Sequence, residues 1–179
     1  DIVVVGFCSD TAEMLQRRVG GILKGIAPVK KLTSEEVQDN SGKMFVCLAY
    51  GYNYENLTQR FRNKDKIVIG VEMNLLPQGI RTVRQLDENL TLGVIAKHQR
   101  CANTFCSEII RSALSGHRFV TGSFDDIDQM AVDAFLVPEE MESGTKGLKF
   151  PKPVYYLPRS ISPQSAALII DNALKIINN

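Results

Sequence analysis

Short apolar runs alternate with helical stripes along the whole chain, and this alternation limits the possible folds more than any other sequence feature. Ile2 to Phe7 is a continuous apolar run, typical of a strand buried on both faces of a sheet. Ala12, Leu15 and Val19 then follow at the spacing of one helix face. Further strand and helix patterns continue to Val71. This order predicts an α/β protein with parallel-sheet cores.

The second half of the chain repeats the first at an offset of about 90 residues. Val5 corresponds to Ile95 and Phe45 to Phe135 at an offset of 90, which later slips by a few residues. We therefore expect an internal duplication that forms two similar lobes. Ligands of parallel sheets bind beyond the carboxyl ends of the strands, so two such lobes predict a ligand-binding cleft between them.

The same pattern predicts the division of the chain. We expect lobe 1 over residues 1–74 and a crossover helix with a hinge over 75–90. Lobe 2 is expected over 91–157, and a C-terminal hinge and helix over 158–179, which can pack back on lobe 1. The chain enters a strand directly after Asp1, which favours a piece of a longer protein.

Charge and cysteine content exclude several classes of protein. The 179 residues include 21 basic and 20 acidic side chains, without the basic excess of a domain whose own surface binds nucleic acid. No apolar run approaches the roughly 18 residues of a membrane span, so no membrane partner is expected.

The four cysteines form no CxxC pair, and a reduced, cytoplasmic location is preferred. With two histidines and neither GxGxxG nor GxxxxGK[ST], no metal or cofactor is expected.

The loop after the first strand contains Cys8 followed by Ser9, Asp10 and Thr11. A cysteine phosphatase would need Arg six positions after the cysteine, where this chain has Met14. One interpretation is that Ser9 and Asp10 cap the next helix, Asp10 forming a capping box with Glu13. The other is that Ser9, Asp10 and Thr11 bind a ligand at the helix N-terminus.

The corresponding loop of the second half is more basic and contains His98, Gln99 and Arg100. Cations are unfavourable at a helix N-terminus unless an anion is nearby, so these residues indicate an anionic ligand. The alternative is that His98 and Arg100 extend into solvent.

Two further loops at predicted carboxyl ends of strands are ligand candidates. Tyr50 and Tyr52 can stack on a ligand, or can fix their loop to the lobe. Gly122 and Ser123 form a small turn, although Ser123 with Asp126 also predicts a capping box.

Three residues where the chain passes between the lobes complete the candidate ligand-binding set: Asn74, Arg159 and Ser160. They lie in the hinge segments that follow Val71 and Leu157. A separate capping box is predicted for Thr33 with Glu36.

The middle of the chain carries a resemblance to a known family. The run Ile67–Val71 is followed by Pro77 and a helix, then by Leu92–Ile95 and later by Asp133–Pro138. This order resembles the sensory domain of GntR-like bacterial transcription regulators with a periplasmic-binding-protein-like fold. The resemblance implies a homodimer, and contact with DNA only through a winged-helix domain outside this chain.

We therefore expect a ligand-sensing domain of a cytoplasmic transcription regulator, without enzymatic activity. A small polar or anionic metabolite would bind in the cleft. One alternative is an extracytoplasmic solute-binding or receptor domain. Another is a small α/β transferase-type enzyme that uses Cys8.

Overall fold

The chain passes twice between two units in the computed structural model, which describes residues 1–179. Unit 1 comprises Asp1–Met73 and Ile161–Asn179, and unit 2 comprises Asn74–Ser160. Strands β5 (Met73–Leu75) and β10 (Arg159–Ile161) lie at the two passages and form a two-stranded sheet. Hydrogen bonding between these strands satisfies backbone groups at both passages.

Unit 1 contains a four-stranded sheet of order β2-β1-β3-β4, in which every neighbouring pair is parallel. Ile2–Gly6 is buried throughout, as its continuous apolar sequence predicts for a central strand. The elements are β1 (Ile2–Gly6), α1 (Ser9–Ile22), β2 (Val29–Thr33), the 3-10 helix η1 (Ser34–Glu36), β3 (Met44–Leu48), α2 (Tyr52–Phe61), β4 (Ile67–Val71) and α5 (Pro163–Ile177).

Unit 2 contains a second four-stranded parallel sheet, of order β7-β6-β8-β9. Phe105 and Ile109 of its longest helix pack with Leu92 and Leu136 of the sheet. The elements are α3 (Pro77–Gln85), β6 (Thr91–Ala96), α4 (Gln99–Ala113), β7 (Arg118–Ser123), the 3-10 helix η2 (Phe124–Gln129), β8 (Ala134–Pro138), the 3-10 helix η3 (Glu139–Thr145) and β9 (Val154–Leu157).

The two sheets have equivalent strand orders and matching registers. Ile2 pairs with Val29 and Met44 in unit 1, and the residues 90 positions later pair in the same way in unit 2. The predicted α/β class with parallel-sheet cores is confirmed. No helix of the chain combines the length and apolar character needed to cross a bilayer.

Each unit incorporates one helix that follows a passage. Val83 of α3 packs with Ile109 in the core of unit 2, although α3 follows directly on β5. Ile169 and Ala173 of α5 pack with Val46 in the core of unit 1. Residues 75–90 therefore belong with unit 2, and α5 contributes to the core of unit 1.

Three predicted capping boxes have different outcomes. Those of Thr33 with Glu36 and of Ser123 with Asp126 are both confirmed. The box predicted for Asp10 is wrong, because α1 already begins at Ser9 with Cys8 as its N-cap. Asp10 is therefore the second helical residue, and Cys8 makes no side-chain capping bond.

Gly6 allows α1 to approach the end of β1 closely. A Cβ at this position would lie 2.2 Å from the backbone nitrogen of Ala12 and 2.7 Å from its Cα. Backbone atoms cannot rotate away, so the close approach requires glycine at the strand end.

Candidate functional site

Four consecutive exposed polar residues follow β6 at the carboxyl edge of the unit 2 sheet: Lys97, His98, Gln99 and Arg100. His98 is the N-cap of the 15-residue helix α4, and its side chain makes no capping hydrogen bond. The first turn of α4 contains no acidic residue. First-turn amides have no acceptor within their own helix, and the helix dipole is positive at this end. The segment therefore combines two cationic side chains, those of Lys97 and Arg100, with a helix terminus that favours negative charge.

Gln99 is held at this edge by two side chains. Its Nε2 donates to Thr121 Oγ1 on β7 and to Asn103 Oδ1 one turn later on α4, each at 2.9 Å. These bonds connect α4 to the neighbouring strand, so Gln99 has a fixed position beside Arg100. Its Oε1 is a hydrogen-bond acceptor and completes the polar character of the segment.

Gly122 and Ser123 end the neighbouring strand β7. The Ser123 hydroxyl and backbone amide both donate to Asp126 Oδ2, at 3.1 and 2.8 Å. Gly122 is buried, and a Cβ there would lie 2.9 Å from Met130 Sδ. The structure thus places both residues in the packing and capping of η2.

Arg159 lies in the interior of unit 2. It donates from Nη1 to Glu108 Oε2 on α4, and from Nη2 to Glu140 Oε1 on η3 at 2.5 Å. The side chains of Arg159, Glu108 and Glu140 are only 3%, 2% and 7% exposed. The Arg159 guanidinium carbon also lies 5.3 Å from the centre of the Phe105 ring. We call Arg159, Glu108 and Glu140 the Arg159 cluster.

Burial and charge act in opposite directions within the Arg159 cluster. Burial raises the pKa of Glu108 above its ordinary value, and the positive charge of Arg159 opposes that rise. Burial alone would lower the pKa of Arg159, but the carboxylates of Glu108 and Glu140 raise it above its ordinary range. Arg159 is therefore a permanent cation between two buried carboxyl groups.

At the carboxyl edge of unit 1, the candidates Ser9, Asp10 and Thr11 form the first turn of α1. Ser9 is exposed and Asp10 half-buried, whereas Thr11 is 3% exposed and its Oγ1 lies 3.5 Å from Cys8 Sγ. Ser9 and Asp10 remain accessible, while Thr11 is part of the core beside Cys8.

The loop after β3 is fixed by polar and aromatic contacts. The Tyr50 hydroxyl donates a hydrogen bond to Glu72 Oε1 at 3.2 Å. Tyr52 makes an edge-to-face contact with Phe7, with the two ring centres 6.4 Å apart. Both tyrosines are nevertheless about half exposed, at 48% and 47%. They can present ring surface to a ligand while their loop is held in place.

A further polar contact of unit 1 joins the start of η1 to the first turn of α2. The Ser34 hydroxyl lies 2.5 Å from Asn53 Oδ1 and 3.3 Å from the carbonyl oxygen of Gly6. Ser34 therefore connects the end of β1 with the first turn of α2, and it had not been a sequence candidate.

The remaining candidates, Asn74 and Ser160, are half-buried residues of β5 and β10. Arg159 precedes Ser160 on the same strand, and its charged group is buried in unit 2. No group of three or more His, Cys, Asp or Glu side chains is arranged to hold a metal ion.

Sequence reasoning missed Glu108 and Glu140. Glu108 falls between Phe105 and Ile109, so it occupies the apolar face of α4. A carboxylate on such a face needs a buried partner, and this was the signal that could have revealed the cluster. Glu140 gave no such signal, because it lies among acidic residues directly after β8.

Comparisons with models of protein families, with curated proteins and with solved structures find no match to this chain.

Proposed function

We propose that this chain is a ligand-sensing regulatory domain that binds a small polar or anionic metabolite. The observation that carries the proposal is the exposed segment Lys97–Arg100 at the N-terminus of α4. Lys97 and Arg100 place positive charge beside helix amides that have no acceptor within α4, and this combination is suited to binding an anion.

The parallel architecture supports this placement of the ligand. The segment follows the carboxyl end of the central strand β6, where open α/β sheets bind their ligands. Gln99 is held by Thr121 and Asn103, so part of the segment is ordered before a ligand arrives. Such preorganisation reduces the entropy cost of binding.

The wider proposal is a non-enzymatic sensor within a cytoplasmic transcription regulator, with a periplasmic-binding-protein-like fold derived from duplication. The equal strand orders and the 90-residue correspondence in register support a duplication. In this proposal the chain forms a homodimer, and DNA is bound by a domain outside it. A metabolite regulates the protein by binding one conformational state more tightly than another.

A thermal-unfolding screen of the 179-residue chain tests ligand binding. The panel contains carboxylates, phosphates and sugar phosphates at millimolar concentration, each paired with its neutral counterpart. A ligand at 100 times its Kd adds about 2.7 kcal/mol to the free energy of unfolding. Stabilisation by an anionic compound and not by its neutral counterpart is the expected result. An equal response to both compounds of every pair would overturn the proposal.

A further inference from the structure

The Arg159 cluster joins three elements of unit 2 at one buried guanidinium. Arg159 belongs to β10, Glu108 to α4 and Glu140 to η3. The Phe105 ring, also on α4, lies against the same guanidinium. The strand that leads out of unit 2 is therefore bound by charge to the helix whose N-terminus carries the candidate anion site.

A second contact connects η3 to that site. The backbone amide of Lys97 donates to Met141 Sδ at 3.5 Å, and Met141 directly follows Glu140. Met141 is itself only 1% exposed, so its sulfur lies in packed surroundings. The residue pair Glu140–Met141 consequently contacts Arg159 on one side and the start of the Lys97–Arg100 segment on the other.

The chemistry of the cluster favours an all-or-none arrangement. Arg159 Nε has no hydrogen-bond partner, so the two terminal nitrogens make the polar contacts of the guanidinium with the carboxylates. A buried carboxylate that loses its cation has a large desolvation cost, which disfavours partly separated states. β10, α4 and η3 are thus expected to order together or loosen together.

We propose that the Arg159 cluster couples the order of β10 to the geometry of the Lys97–Arg100 segment. Ligand binding at that segment then stabilises the strand through which the chain leaves unit 2. This inference rests on the proposed function for its biological meaning, but the coupling itself exists in the ligand-free chain and is tested there.

The test is amide hydrogen exchange of the full 179-residue chain without ligand, comparing wild type with Glu140→Gln. This variant keeps the side-chain shape, removes the charge of Glu140 and leaves Arg159 paired with Glu108, so no buried charge loses its partner. Glu142→Gln is the matched control, because it makes the same change on an exposed residue of the same 3-10 helix. Exchange is expected to accelerate about five- to tenfold in Glu140→Gln only, for β10 and for the amides of Lys97 and Ala102, which donate to Met141 Sδ and to the carbonyl oxygen of His98.

Three results would overturn the coupling: unchanged exchange at Lys97 and Ala102, equal acceleration throughout unit 2, or the same response in Glu142→Gln. Equal acceleration would show only a loss of overall stability. Because no ligand is present, failure of this test leaves the metabolite screen unaffected, and a negative screen leaves this result standing. Thermal unfolding of each variant confirms that it is folded.

Discussion

Arg159 and Glu108 form an ion pair between a crossing strand and the middle of α4, with both side chains almost completely buried. Glu140 binds the same guanidinium, so two carboxyl groups share one cation within the cluster. A buried pair is costly to break because each partner is left without solvent or counter-charge. Charge-changing substitutions in the Arg159 cluster are therefore expected to destabilise unit 2.

Arg159→Met is expected to lower the free energy of unfolding by about 3–5 kcal/mol at neutral pH, because two buried carboxylates lose their cation. Urea unfolding followed by circular dichroism measures the loss. Arg118→Met is the control, since Arg118 is exposed at the start of β7. Equal stability of the two variants would contradict the importance of the buried pair.

Glu108 is expected to make stability depend on pH in a defined direction. Burial raises its pKa above the ordinary 4.5, despite the opposing charges of Arg159 and Arg111, while Glu140 adds to the rise. The native state then binds a proton more tightly than the unfolded chain. The contribution of Glu108 to the free energy of unfolding therefore falls as the pH rises from 4.5 through the raised pKa.

Glu108→Gln removes this titration, and its unfolding free energy should decline less than that of wild type as the pH rises above 4.5. Urea unfolding at several pH values gives the two slopes. Glu88→Gln, an exposed carboxylate before β6, should retain the wild-type slope. Parallel profiles for wild type and Glu108→Gln would refute the assignment.

We expect each of the variants Lys97→Gln and Arg100→Gln to raise the Kd for the anion found in the metabolite screen by roughly 10- to 100-fold. The reason is that a hydrogen bond to a charged group contributes about 1.5–3 kcal/mol. Isothermal titration calorimetry measures the affinities. Arg118→Gln makes the same charge change at the amino end of the parallel strands, away from the proposed site, and should bind the anion with wild-type affinity. A comparable loss in that control would assign the effect to overall charge and not to the proposed site.

Gly6→Ala is expected to destabilise the chain by about 1–3 kcal/mol, because the new methyl group meets the backbone of Ala12. Gly21→Ala is the matched control: it lies in α1 and its Cβ would meet nothing within 4 Å. Alanine at position 21 should raise the free energy of unfolding by about 0.5–1 kcal/mol. Thermal or urea unfolding distinguishes the two, and a neutral Gly6→Ala would show that α1 can move away from β1.

The four cysteines should react with iodoacetamide at very different rates. Burial raises the pKa of Cys47 to about 12 and also raises that of Cys106, whereas Cys101 is half exposed. Peptide mapping of the native protein should find Cys101 modified first and Cys47 protected until unfolding. Cys8 is 6% exposed, and rapid selective modification at that residue would instead favour the transferase-type alternative.

The predicted elements follow from local sequence because their signals are local. The apolar run Ile2–Phe7 and the stripe Ala12, Leu15 and Val19 indicate β1 and α1 correctly, since a strand buried on both faces and an amphipathic helix have different periods. The boxes at Thr33 and Ser123 were also predictable, as their partners lie three residues away. The capping box predicted for Asp10 was wrong because the start of the helix is set by the backbone conformation of Cys8. A rule based on residue spacing does not predict that conformation.

The sequence by itself determined the α/β class, the correspondence between the halves and the loops that follow the strands. Only the tertiary structure decided that α3 belongs to unit 2 and that Arg159 is buried between Glu108 and Glu140. The physical reason is distance along the chain. Periodicity and capping act over a few residues, whereas Arg159 and Glu108 are separated by 51 positions and meet only when the core of unit 2 forms.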